Sequence, residues 1–176
     1  MRHQIYKNLA ELNELPRARA VLTFLDCCGS RAWAERMADS RPFAMIEPLF
    51  EQAEAIWFSL SKVDHLEAFA AHPQIGASGS GASEGKRAGE WSQGEQASVA
   101  SSDESTREQL ADVNRLYHQK FGFIFIVSAS GKTAEEMLAI ARARIRNSVE
   151  TELKIAAEEQ SKITQLRLTK LLEREL

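Results

Sequence analysis

A chain of 176 residues, 44% hydrophobic and 27% charged, is long enough for one globular domain whose core needs no covalent staples. With a net charge of −3 it shows no evident basic face of the kind a nucleic-acid binder usually carries, so an anionic small substrate has to be met by local positive groups. No apolar run reaches the roughly 20 residues of a bilayer span. The only cysteines, Cys27 and Cys28, are sequence neighbours, which suits reduced thiols in the cytoplasm better than a disulfide framework.

Met1 to Tyr6 lead into no apolar stretch, so no secretory signal is expected, and Glu173 to Leu176 match no peroxisomal or ER address. Over residues 17–28, Ala18, Val21, Leu22 and Leu25 fall at helical spacing. After the turn at Gly29 and Ser30, Ser30 is set to cap a second helix that runs to about Ala38. Arg41-Pro42-Phe43 ends it, because the residue before a proline avoids the α region. A longer helix is expected over 44–60. Ser61, with Asp64 in the first turn, caps the next one, which stops near Ala71 ahead of Pro73.

Residues 76–94 hold Gly76, Gly79, Gly81, Gly85, Gly89 and Gly94 with serines between them. They read as a long surface loop, of the kind that is functional or disordered in a compact domain. Helical patterning resumes over 93–100 and 105–120. Phe121 to Val127 is the most apolar and β-prone run, yet it has no partner strand, so a short buried extended segment between helices is expected. Thr133 with Glu136 forms a capping box for a helix to about Arg146, and Ser148 caps a last helix that runs almost to Leu176. The fold expected is therefore all-α, a single-domain multi-helix bundle over 1–176 with one extended segment. In the last helix Leu153, Ala156, Ala157, Ile163, Leu168 and Leu171 share a face, with Arg167 near its middle. A cation on a buried stripe must be paired or must face a cavity.

Of the four histidines, His3 is near the terminus, and His65 and His118 sit in polar helical surroundings that suit a surface place. His72 ends the apolar segment Phe69-Ala70-Ala71 and precedes Pro73 and the Gly-rich stretch, an imidazole at a rigid helix exit. It is either a catalytic group or a C-terminal histidine favoured by the helix dipole. No zinc site is expected, since there is neither a His-x-x-x-His pair nor a Cys-x-x-Cys, and the Gly-rich stretch lacks the Gly-Lys-Ser/Thr ending of a phosphate loop. A nucleophilic Cys27–His72 pair is conceivable, although both cysteines end a helix among apolar residues and suit packing better. Glu95 opens a helix after the loop, where an acidic residue already suits the dipole.

Several segments together resemble one family in order along nearly the whole chain. They are Cys27-Cys28-Gly29-Ser30 with Trp33, Met37 and Arg41-Pro42-Phe43, then His72-Pro73-Gln74-Ile75-Gly76, then Ser92 with Glu95-Gln96. Asn114 to Val127, Arg144-Ile145-Arg146-Asn147, and Lys162-Ile163 ahead of Leu166-Arg167-Leu168 complete the set. Each alone is weak, but the ordered set resembles the 2-oxo-4-hydroxy-4-carboxy-5-ureidoimidazoline (OHCU) decarboxylases of urate breakdown. The resemblance implies a cofactor-independent homodimer that yields (S)-allantoin, with OHCU as its small-molecule partner. It implies His72 as the catalytic group with Glu95 sharing in catalysis. It further implies Pro73, Ser92, Gln96, Phe125, Ile126, Val127, Ser128, Ala129 and Arg167 as substrate-binding positions.

Loss of CO2 leaves an electron pair on carbon, which many decarboxylases place in a borrowed cofactor. The conjugated ring beside this substrate's carboxylate is a sink of its own, so binding, orientation and protonation are what the protein must supply. An imidazole suits proton transfer because its ordinary pKa is near neutral. Two readings from other classes stand beside this one: a non-catalytic helical module that binds a small molecule or protein, and a thiol enzyme using Cys27 or Cys28.

Overall fold

A computed structural model describes residues 2–75, 86–95 and 97–173. Among these the chain forms ten helices and no strand. They are α1 (Arg2–Glu14), α2 (Arg17–Cys27), α3 (Arg31–Asp39), α4 (Ile46–Ser59), α5 (Lys62–Ala70), α6 (Lys86–Glu95), α7 (Ala97–Ala100), α8 (Glu104–Phe121), α9 (Ala134–Arg144) and α10 (Val149–Glu173). The all-α class is thus as expected. The helices fall into two compact units, Met1–Ala68 with Ser161–Leu176 (unit 1) and Phe69–Gln160 (unit 2), so α5 and α10 contribute to both.

In unit 1, α2, α3 and α4 pack around Phe24 and Trp33, whose rings meet edge to face at 5.9 Å. Ser30 caps α3 as expected, its Oγ accepting from Trp33 N at 3.3 Å, and Trp33 Nε1 donates to Ala53 O at 2.9 Å. Helix α2 forms where expected but turns a different face inward. Ala20, Val21, Phe24 and Cys27 are buried, whereas Leu22 is 55% exposed. The aromatic Phe24 has more apolar area to bury than the exposed leucine, and it sets the rotation of the helix. Helix α1, where no helix is expected from the sequence, buries Leu9 and Leu12 on one face. Arg41 closes its C-terminal end, donating to the carbonyls of Leu12 (2.7 Å) and Leu15 (2.8 Å), which the helix itself leaves unpaired. Ser61 and Asp64 cap α5 reciprocally, the Asp64 carboxylate accepting from Ser61 N at 3.0 Å.

In unit 2 the expected loop over 76–94 needs correction. Residues 76–85 lie outside the described residues, but Lys86–Glu95 is helical. Gly89 and Gly94 each cost about 1 kcal/mol there. The burial of Ala88, Trp91 and Ser92, at positions i, i+3 and i+4, outweighs that cost. Helix α8 also runs one residue further than expected, taking Phe121 from the extended run. Gly122 then closes it at φ 77°, a left-handed backbone that favours glycine. The Thr133–Glu136 capping box opens α9 as expected, and Ser148 Oγ accepts from Thr151 N at 3.2 Å at the start of α10.

The extended segment from Phe123 to Ala129 buries Phe123, Phe125, Ile126, Val127 and Ala129 with no strand beside it among the described residues. Side chains pair its backbone instead. Arg144 Nη1 donates to Ile126 O (2.8 Å), Ser128 N donates to Glu159 Oε2 (2.7 Å), and Lys132 Nζ donates to Ser128 O (2.6 Å). A lone buried extended segment is possible because three charged residues pair backbone groups that a neighbouring strand would otherwise meet.

Candidate active site

Helix α5 ends at Ala70, and a final turn follows in which His72 N donates to Phe69 O at 3.2 Å. Pro73 prevents the helix from continuing. The His72 ring is half-buried, and its Nε2 lies 2.6 Å from Gln160 Oε1 on α10. Two residues past Pro73, Ile75 is buried, and its carbonyl accepts from Asn114 Nδ2 of α8 at 2.8 Å. The turn that carries the imidazole is therefore tied to α8 and α10 at once. Phe69, just before it, packs on Phe123 at 5.4 Å, which brings the start of the extended segment to the base of the same turn.

The segment's functional stretch, Phe125 to Ala129, has Phe125, Ile126, Val127 and Ala129 buried and Ser128 half-buried. Beneath it, Glu152 is wholly buried and gathers four groups. Arg144 Nε donates at 2.8 Å, Asn147 Nδ2 at 2.8 Å, and Arg144 Nη2 and Tyr117 Oη close the set. Arg144 also stacks its guanidinium 4.9 Å over the Phe125 ring. Burial pushes the Tyr117 phenol well above its ordinary value, so it acts as a neutral donor to the carboxylate.

Ser92 and Glu95 stand one turn apart in α6, the serine buried and the glutamate half-buried. Gln96 lies outside the described residues. Trp91 Nε1, next to Ser92 in α6, and Asn114 Oδ1 of α8 are buried without a hydrogen-bond partner among the described residues, a costly condition. Arg167 belongs to unit 1, where it is buried and reaches the Asp26 carbonyl at 3.5 Å. Its burial agrees with the conflict read from periodicity.

The structure thus joins His72 and the Phe125–Ala129 stretch through successive residues of α10, Gln160 and Glu159. Neither was among the expected site residues. Nothing in the sequence pattern singles out either, since α10 carries many charged and polar residues. His65 is half-buried, not a surface residue, its ring 4.3 Å from that of Trp57 and its Nε2 3.0 Å from Trp57 O. Cys27 and Cys28 are buried, and burial pushes the Cys28 thiol up to about 11. A thiol that ionises there is a poor nucleophile at neutral pH. Among the described residues no three His, Cys, Asp or Glu side chains are placed to hold a metal ion.

The family model described as OHCU decarboxylase matches residues 13–169. The chain belongs to the OHCU decarboxylase family. It is 44% identical over 146 residues to the uric acid degradation bifunctional protein of Arabidopsis thaliana, covering 82% of this chain and 45% of that one. The chain thus spans about half the length of that relative. It is 29% identical over 163 residues to the 2-oxo-4-hydroxy-4-carboxy-5-ureidoimidazoline decarboxylase of Haloferax volcanii, covering 91% of this chain and 93% of that one. A crystal structure of OHCU decarboxylase in the presence of (S)-allantoin superposes with a TM-score of 0.74 at 40% identity, over 86% of this chain and 97% of that one. The family match takes in both His72 and the residues that hold it.

Proposed function

We propose that this chain is a carboxy-lyase that converts OHCU to (S)-allantoin in urate degradation, with His72 as its catalytic group. The observation that carries the reading is the 40% identity to an OHCU decarboxylase crystallised with (S)-allantoin, over nearly all of that chain. The placement of His72 supports it: a half-buried imidazole, fixed at a helix exit, in the same unit as a buried extended stretch.

In this reading the C–C bond to the carboxylate breaks, CO2 leaves, and its electron pair enters the conjugated ring. A proton returns to carbon from one face, which sets the enantiomer. His72 orients the leaving carboxylate or delivers that proton. Glu95 and Ser92 bind the polar edge of the substrate from α6, and Phe125 to Ala129 with Pro73 line the site. The same reading carries a homodimer and a cytoplasmic setting. No described helix is long and apolar enough to cross a membrane.

The test supplies freshly generated OHCU to the purified chain with no metal or cofactor added and follows circular dichroism. Rapid appearance of (S)-allantoin is expected. Racemic allantoin formed at the rate of buffer alone would overturn the assignment.

A further inference from the structure

Gln160 is fully buried on α10, 88 positions from His72, and its Oε1 is 2.6 Å from the ring Nε2. An amide oxygen only accepts, so the ring nitrogen in this contact is the donor and carries a proton. We propose that Gln160 is a positioning residue for His72, holding the imidazole by its Nε2–H and confining the gain and loss of a proton to Nδ1. The inference rests on the reading of His72 as the reacting group.

Three features support it. The contact is short for a neutral hydrogen bond. The amide is wholly enclosed, so its dipole is fixed and little screened. The preceding residue, Glu159, has its carboxylate on Ser128 N at 2.7 Å, and Ser128 O is held by Lys132 Nζ. One turn of α10 therefore orients the imidazole with a neutral acceptor and the extended stretch with a charged one. The choice matters chemically. A carboxylate at 160 would stabilise the imidazolium strongly and hold its proton, whereas an amide orients the ring and leaves it able to titrate near neutrality. A bond to one ring nitrogen sets the tautomer of the other, which suits a group that must both steer a carboxylate and exchange a proton.

The test uses the full chain with 15N-labelled histidine and two variants, Gln160→Leu and Gln160→Glu. Ring 15N shifts of the wild type should show Nε2 protonated throughout the titration of His72. Gln160→Leu should lower the ionisation midpoint of His72, because the bond to the cationic ring is the stronger one. Gln160→Glu, nearly isosteric, should raise it by about one unit or more. The pH profile of kcat should move with the midpoint in both variants. In Gln160→Leu kcat should fall about tenfold at neutral pH with KM little changed, as expected for a misplaced reacting group. A merely structural glutamine would change stability but leave the midpoint in place. An unprotonated Nε2 in the wild type, or a midpoint indifferent to both variants, overturns the inference. The NMR titration needs no substrate, so it separates this outcome from a failure of the decarboxylase reading, which shows as a wild type without OHCU turnover.

Discussion

Arg144 Nη1 donates to the carbonyl of Ile126 at 2.8 Å from the end of α9, and the same guanidinium lies over the Phe125 ring. The residue that terminates one helix thus holds the extended segment that precedes that helix by a short turn. Glu152, one turn into α10, holds the arginine in place. Each charge is buried, and each is compensated by the other and by neutral donors from Tyr117 and Asn147, which is the condition under which a buried ion pair is tolerable.

Breaking that pair from one side should cost far more than an average substitution. Arg144→Met strands the Glu152 carboxylate and the Ile126 carbonyl and is expected to destabilise the chain by about 3–5 kcal/mol. Arg144→Met with Glu152→Met removes the stranded charge and should recover part of the loss. Urea unfolding of the two variants checks this. Equal midpoints for wild type and Arg144→Met would show that the network contributes nothing.

Cys28 gives the chain an alkaline sensitivity. Burial raises its thiol to about 11 from an ordinary value near 9, so the unfolded chain ionises first as pH rises. The stability this group contributes is fully present below pH 9 and is lost between 9 and 11, by about 2 kcal/mol at the upper end. Stability measured against pH should fall more steeply over that window in the wild type than in Cys28→Ala. Parallel curves would mean that the thiol titrates normally. Alkylating agents should likewise leave the native thiol unmodified at neutral pH and the activity intact, an outcome that would dispose of the thiol-enzyme reading.

What the sequence made legible divides by range. The Thr133–Glu136 capping box, the Ser30 cap and the cationic break in the stripe of α10 at Arg167 are local patterns, and all three are found. The place of His72 at a helix exit is legible because a proline and an apolar helix end bracket it, whereas its role is implied only by the family resemblance. Helix α6 was hidden, since the cost of Gly89 and Gly94 is local whereas the burial of Trp91 that outweighs it is tertiary. The facing of α2 failed for a related reason, because Leu22 and Phe24 are equally apolar to a periodicity and only packing distinguishes them. Gln160 had no signal at all. A glutamine on a helix is ordinary until the imidazole 88 residues away lies against it.

Glu95 is predicted to bind as well as to assist. It is half-buried in the last turn of α6, one turn from buried Ser92, so a substrate that meets one can meet the other. A lost hydrogen bond to a charged group is worth about 1.5–3 kcal/mol. Glu95→Ala should therefore lower kcat/KM by about 10–100-fold, with both a higher KM and a lower kcat. Steady-state kinetics that match the wild type would remove Glu95 from the site.

His72→Asn tests the centre of the proposal with little disturbance of the fold. Asparagine matches the imidazole only as far out as Nδ1, so its amide falls short of Gln160 and the bond from Nε2 is lost, at about the 0.5–1.5 kcal/mol of a single hydrogen bond. What it lacks is a group that titrates near neutrality. If His72 delivers the proton, turnover should fall by roughly 10²–10⁴-fold, the usual scale for a lost acid–base group, while the melting temperature stays near that of the wild type. The stereochemistry of the residual product separates the two roles open to the imidazole. A slow reaction that still yields (S)-allantoin means that the face of protonation is set by the surrounding walls and that His72 mainly steers the carboxylate. A slow reaction that yields racemate means that CO2 loss persists while the proton arrives from solvent, which identifies His72 as the donor. Decarboxylation near the wild-type rate would remove His72 from the chemistry and leave its bond to Gln160 as a structural tie only.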